Sequence, residues 1–254
     1  MVNSMNRKGK EYKSYFNILF LLMICMSVYL LRDPSISVMQ QSLEALGAAG
    51  KDKVTVVIDP GHGGRDPGKV GVNGALEKDI NLSIALKLKE LLIQNDINVI
   101  MIREDDIGLY SESDSNKKMA DMRKRVDIIN TSDAILAISI HQNSFTQESV
   151  KGAQVFYYSN SKEGKRYADI MQNQLIKSLQ DGNKKKSKAN DNYYMLKKTN
   201  CPIVIVECGY LSNYSESELL TNEKYQEKLA WSIHLGLLTY MNERLEESKS
   251  MKTN

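Results

Sequence analysis

Cysteine is scarce. The chain has three in 254 residues, Cys25, Cys201 and Cys208. Their number and spacing exclude a disulfide framework and any CxxC metal pattern, so they read as free thiols, one of them inside an apolar segment. Charge of one sign is also lacking. A formal net charge of +3 does not by itself imply nucleic acid as a partner, and no RNA- or DNA-binding motif is present. There is no internal repeat, no HExxH helix, no GxSxG elbow and no GKS or GKT phosphate loop. Histidine is as rare as cysteine: His62, His141 and His234 are all there are. What remains is ordinary for a globular chain, with 42% apolar and 26% charged residues.

The amino-terminal part is organised by charge. Arg7, Lys8, Lys10 and Lys13 precede Tyr15–Leu31, seventeen residues without a charge. That length is short for a spanning helix and long for a signal peptide's apolar region, and no A-x-A site follows closely. The pattern favours an uncleaved signal anchor, with 1–14 cytoplasmic and everything after Arg32 outside the membrane. Residues 32–52 read as a linker, 53–243 as a single catalytic domain and 244–254 as a polar tail.

Within the domain, apolar runs alternate with amphipathic stretches. Val54–Gly64, VTVVIDPGHGG, reads as a buried strand that breaks into a glycine-rich loop at His62. Ile80, Ile84, Leu88 and Leu91 recur at helical spacing, and INVIMI (97–102) follows as a strand, giving a βαβ unit of a parallel sheet. A polar loop over 103–117 leads to a helix from Lys118 to Asn130. There Arg125 is placed to bind the helix's last carbonyls or a carboxylate. AILAISI (134–140) is a strand that ends at His141. Residues 153–158 form another strand and 162–179 a helix, followed by a basic loop over 181–192. That loop reads as solvated, with an anionic polymer as the alternative contact. IVIV (203–206) is the last strand and delivers Glu207; a closing helix spans 225–241. His234 falls on that helix without polar neighbours and reads as structural. The expected fold is α/β, a twisted mostly parallel sheet flanked by helices on both faces.

In such sheets ligands bind beyond the carboxyl ends of the strands. His62, His141 and Glu207 each sit at such an end, and Glu77 opens the helix that follows the first. Alone, Glu77 is no more than an acidic residue favoured by a helix N-terminus. Together, two imidazoles and one carboxylate make a ligand set for catalytic zinc. Glu77, at a loop-to-helix junction, suits the metal. Glu207, on a rigid strand, suits the general base of an acyl-bond hydrolysis.

DPGHGGRDPG, LEKDINLSIA, SIHQNS and VIVECGYLSN occur in that order, and over roughly 53–241 they resemble the successive motifs of the zinc-dependent N-acetylmuramoyl-L-alanine amidases. The resemblance implies one Zn2+ bound by His62, Glu77 and His141, with Glu207 catalytic. It also implies cleavage of the amide between the lactyl group of N-acetylmuramic acid and L-alanine in peptidoglycan. Arg125 and Asn130 resemble the arginine and asparagine that precede the second histidine motif in relatives and are carried as structural or substrate-side candidates, with Asn143 as a further substrate-binding candidate. A single short catalytic domain behind an anchor is most similar to the germination-specific branch. That branch implies spore cortex murein as substrate, a step before muramic-δ-lactam formation, and a site between the mother-cell and forespore membranes. No added wall-binding module and no clear regulatory helix at 103–117 are read, which leaves control to the anchor, the loops or a partner protein. The alternatives are a zinc peptidase or carboxypeptidase acting on stem peptides, and an inactive membrane-anchored regulator. The second is hard to reconcile with a complete set of four groups.

Overall fold

The structure is a computed structural model and describes residues 53–252 together with Met23. The expected basic segment, anchor and linker lie, apart from Met23, outside the described residues. No helix among the described residues is long and apolar enough to cross a membrane.

Six strands form one sheet in the order β2-β1-β3-β6-β4-β5. They are β1 (Thr55–Pro60), β2 (Asn98–Met101), β3 (Leu136–Asn143), β4 (Gln154–Tyr157), β5 (Lys188–Ala189) and β6 (Ile203–Tyr210). β2, β1, β3 and β6 run parallel, β4 lies antiparallel on β6, and β5 is parallel to β4. The sheet is therefore mostly parallel, as expected, with a reversed edge.

The connections explain both helical layers. From β1 the chain passes through α1 (Glu77–Ile93) to β2 on one side, then through α2 (Lys117–Thr131) to β3 on the other side of β1. Right-handed crossovers in opposite directions put α1 and α2 on opposite faces. On the α2 face Val126, Ile129, Met195 and Leu196 pack against Val57, Ala137, Ile203 and Ile205. Met195 and Leu196 belong to the short helix α4 (Tyr194–Lys198). The other layer is α1, α3 (Lys162–Leu179) and α6 (Glu223–Lys252), with α6 packed on both α1 and α3. A further helix, α5 (Tyr214–Leu220), follows β6. The direction of chain progression reverses between β1 and β3, so a crevice opens there at their carboxyl ends.

Four expectations need correction. β3 does not stop before His141; it runs on to Asn143 because His141 pairs in register with Glu207 and Asn143 with Tyr210 across a bulge. β6 likewise continues past Val206 to Tyr210, since β4 pairs with it on the other side, Gln154 opposite Glu207. The basic loop over 181–192 contains β5 and is docked rather than free: Lys185 stands 4.6 Å from the centre of the Tyr210 ring. The stretch expected as a polar tail continues α6 through Lys252, and Arg166 of α3 holds the helix by Glu243 at 2.9 Å and Glu247 at 2.5 Å.

Candidate active site

The loop after β1 is shaped by backbone geometry and held by arginines. His62 has a φ of 64° and Gly63 one of 133°. A left-handed histidine costs energy and persists only when its surroundings enforce it. Here the surroundings are two buried guanidiniums. Arg125 donates to the carbonyls of Pro60 at 3.0 Å and His62 at 2.6 Å, and Arg103 donates to those of Pro60 and Gly61, each at 3.0 Å. Asn81 adds a bond to the Gly61 carbonyl at 3.1 Å. Arg125 is anchored in turn by Asp59 and Asp121, both at 2.5 Å, and the Ser139 hydroxyl donates to Asp59 at 2.6 Å. Burial opposes the Asp59 charge, but Arg125 and Ser139 outweigh it and hold the carboxyl below its usual range.

Glu77 is the first residue of α1 and is 2% exposed. Its carboxylate does not cap that helix. Oε2 accepts the Lys69 amide at 2.8 Å and Oε1 the Gln142 amide at 3.0 Å. Oε1 also faces His141 Nδ1 at 3.0 Å and His62 Nε2 at 3.2 Å. Burial works against this charge, but the hydrogen bonds from the two imidazoles prevail and hold Glu77 well below the usual carboxylate range. Asp66 lies 2.9 Å from His62 Nδ1. A carboxylate there favours the tautomer with the proton on Nδ1, so that Nε2 can give up its bond to Glu77 and offer a lone pair to a metal ion.

His62, Glu77 and His141 each offer a ligand atom within 4.8 Å of the others. Two ring nitrogens turned onto one carboxylate oxygen, with a carboxylate behind the first ring, is a donor set that fits a divalent ion, zinc in particular. The backbone makes room for it. A Cβ at Gly61 would stand 2.2 Å from His141 Cε1, and one at Gly68 2.5 Å from Glu77 Oε2.

Glu207 completes the group from the sheet. Side chains alternate along a strand, so Glu207 shares the α2 face with Ile203 and Ile205, and His141 shares it with Ala137. Glu207 is 6% exposed; Oε1 accepts the Tyr193 hydroxyl at 3.2 Å, while Oε2 has no hydrogen-bond partner among the described residues. Burial, opposed by His141 and reinforced by the charge of Glu77, pushes Glu207 up to about 6. The cavity here is about 570 Å³, and His62, Glu77, His141, Glu207, Arg125 and Tyr193 line it. It can host metal-assisted hydrolysis with a buried base.

The structure thus brings together His62, Glu77, His141 and Glu207, with Asn143 on the cavity wall. It does not bring Asn130, which ties α2 to the end of α4 by a bond to the Lys198 carbonyl at 2.8 Å and one from the Asn200 amide at 2.7 Å. Arg125 sits at the cavity, but as a substrate-binding candidate it is corrected: its guanidinium is committed to two carboxylates and two carbonyls, and it positions His62. His234 is buried on α6 with Asn95 3.4 Å away, a neighbour that the sequence did not suggest. Asp66, Arg103 and Tyr193 were missed. Asp66 had a signal, four residues after His62 in the same glycine loop; Arg103 and Tyr193 come from polar loops that carry none.

An open α/β sheet with a metal-capable group at its switch point and a buried carboxylate beside it defines the class. Residues 56–239 match the family model described as N-acetylmuramoyl-L-alanine amidase, and the chain belongs to that family, a family of hydrolases. The germination-specific N-acetylmuramoyl-L-alanine amidase of Bacillus subtilis is 40% identical over 192 residues, 74% of this chain and 80% of its own. Bacillus subtilis LytC is 31% identical over 188 residues, 73% of this chain and 35% of its own. The CwlD amidase from Clostridioides difficile, solved in complex with the GerS lipoprotein, superposes with a TM-score of 0.72 at 41% identity, covering 74% of this chain and 98% of that one.

Proposed function

We propose that this N-acetylmuramoyl-L-alanine amidase is zinc-dependent and acts on spore cortex murein, upstream of muramic-δ-lactam formation. In this reading His62 Nε2, His141 Nδ1 and Glu77 hold the ion, and Glu207 is the general base. When bound, zinc supplies a Lewis acid for the scissile carbonyl and makes a water acidic enough to react near neutral pH. Glu207 Oε2 takes the proton of the attacking water and returns it to the departing amine of L-alanine. Burial, the largest cause of the raised Glu207 carboxyl, disfavours its charge and so favours its taking up the proton. Asp66 holds the His62 ring, and the arginines hold its backbone.

The observation that carries this reading is the unpartnered Oε2 of Glu207, buried in the same cavity as the three candidate ligands. The likeness to a germination-specific amidase supports the cortex as substrate. The neighbour solved with a lipoprotein supports a regulatory partner. The basic segment and apolar run of 1–31 support membrane anchoring with the catalytic domain outside the cytoplasm.

The test is digestion of purified murein by the purified full chain. One zinc per chain and release of new L-alanine amino termini are expected, with activity abolished by a chelator, restored by zinc, and lowered about a hundredfold or more in Glu207→Ala. Mass spectrometry should find peptide-free muramic acid. Shortened stem peptides still attached to glycan would instead identify a peptidase.

A further inference from the structure

One group in the cavity has no part in the chemistry above. Tyr193 precedes α4, on the far side of the basic loop, and its hydroxyl lies 3.2 Å from Glu207 Oε1. Burial, with the neighbouring charge of Glu207, pushes the phenol far above its ordinary range, so it remains a donor. Its partner on the other side of the bond is equally defined. Glu207 is buried, has two oxygens, and gives Tyr193 one of them; the other has no hydrogen-bond partner among the described residues.

The ring is fixed from two directions. It meets Phe156 of β4 edge to face, with centroids 5.7 Å apart and planes at 88°. Its backbone amide donates to Asn190 Oδ1 at 3.2 Å, and the Asn190 amide donates to the Tyr157 carbonyl at 2.8 Å. The hydroxyl is therefore delivered to the cavity from the reversed edge of the sheet, by β4 and the residues that follow β5.

We infer that Tyr193 is a positioning residue for the hydrolysis: by occupying Oε1 of Glu207 it fixes the carboxylate rotamer and leaves Oε2 as the atom that exchanges the proton. A carboxylate with both oxygens unheld would rotate between them, and its productive orientation would be only part of the population. Held by one oxygen, it meets the reacting water in a single geometry. This rests on the assignment of Glu207 as base.

Tyr193→Phe keeps the ring on Phe156 and removes only the hydroxyl, so unfolding temperature and zinc content should match the parent protein. Murein hydrolysis should show kcat lowered about tenfold, the effect of one hydrogen bond, with KM within about twofold. Combined with Glu207→Ala, the same substitution should reduce the residual activity no further, because the residue through which it acts is gone. An unchanged kcat, a change confined to KM, or an equal loss in the Glu207→Ala background would each overturn the inference. The last two would assign Tyr193 to substrate contact instead. Full activity of Glu207→Ala alone would instead count against the base assignment itself.

Discussion

At the scale of single residues, room for the candidate metal ligands is set by missing side chains. Gly61 has no unusual backbone requirement, yet a Cβ there would stand 2.2 to 2.7 Å from three atoms of the His141 ring. The ring cannot withdraw freely, since its Nδ1 is held 3.0 Å from Glu77 and its strand is paired on both sides. Gly74 is the converse case: φ is 82° but nothing lies within 4 Å of its added Cβ. Gly61→Ala should therefore lower zinc content and murein hydrolysis by more than about tenfold, through a displaced ring, and lower stability by about 1–3 kcal/mol. Gly74→Ala should cost about 1 kcal/mol of stability and leave zinc content alone. Metal analysis beside thermal unfolding of the two variants checks this; equal zinc in both would remove Gly61 from the site's construction.

At the scale of elements, the site is a loop clamped between a helix and a strand end. Asp59 on β1, Arg125 on α2 and the carbonyls of Pro60 and His62 form one buried network, with Asp121 one turn before Arg125. Arg125→Met would strand the Asp59 charge, which is 2% exposed, and should cost about 3–5 kcal/mol. Asp121→Asn is milder because its carboxylate is at the edge of the network, 16% exposed. It should cost under about 1 kcal/mol and weaken zinc binding several-fold, measured by competition with a chelating dye. Zinc affinity unaffected in a folded Asp121→Asn would separate the clamp from the metal site. Much of this element-level design was legible in the sequence. The apolar run of β1, the helical stripe of α1 and the histidine at each break were enough to place three groups on one edge of a parallel sheet. What was not legible depends on neighbours. Nothing in SIHQNS or VECGY says that β3 and β6 continue, because their polar residues are accommodated by pairing with each other. Nothing in the lysine-rich stretch before Tyr193 says that it docks on Tyr210 and carries a hydroxyl to Glu207. For Arg125 the sequence offered the last carbonyls of its helix or a carboxylate; the packing of α2 over β1 instead gives it Asp59, Asp121 and the carbonyls of Pro60 and His62.

At the scale of the whole molecule, the one histidine outside the site bears on stability. His234 lies in the layer where α6 packs on α1, 2% exposed, tilted against Trp231, with no partner for Nδ1 among the described residues and Nε2 3.4 Å from Asn95. Burial pushes it down to about 4 from an ordinary 6.5. The folded protein therefore binds fewer protons than the unfolded chain between those values. Stability is fully present above pH 6.5 and is lost as pH falls toward 4. Glu207 works the other way: with a folded value near 6 against an ordinary 4.5, it gains stability on acidification within that narrower window. The larger shift decides between the two, so His234 dominates, with about 2–3 kcal/mol lost by pH 4.5. Glu77 and His141 of the active site are shifted as well, and comparison with a variant cancels their contribution. His234→Leu keeps the apolar contact with Trp231 and removes the titration. Denaturant unfolding of the parent and variant at pH 7.5 and pH 4.5 should show the parent losing about 2–3 kcal/mol more than the variant on acidification. Parallel losses in the two proteins would mean that α6 opens enough to hydrate the imidazolium, and that the acid sensitivity of the fold resides at the active site instead.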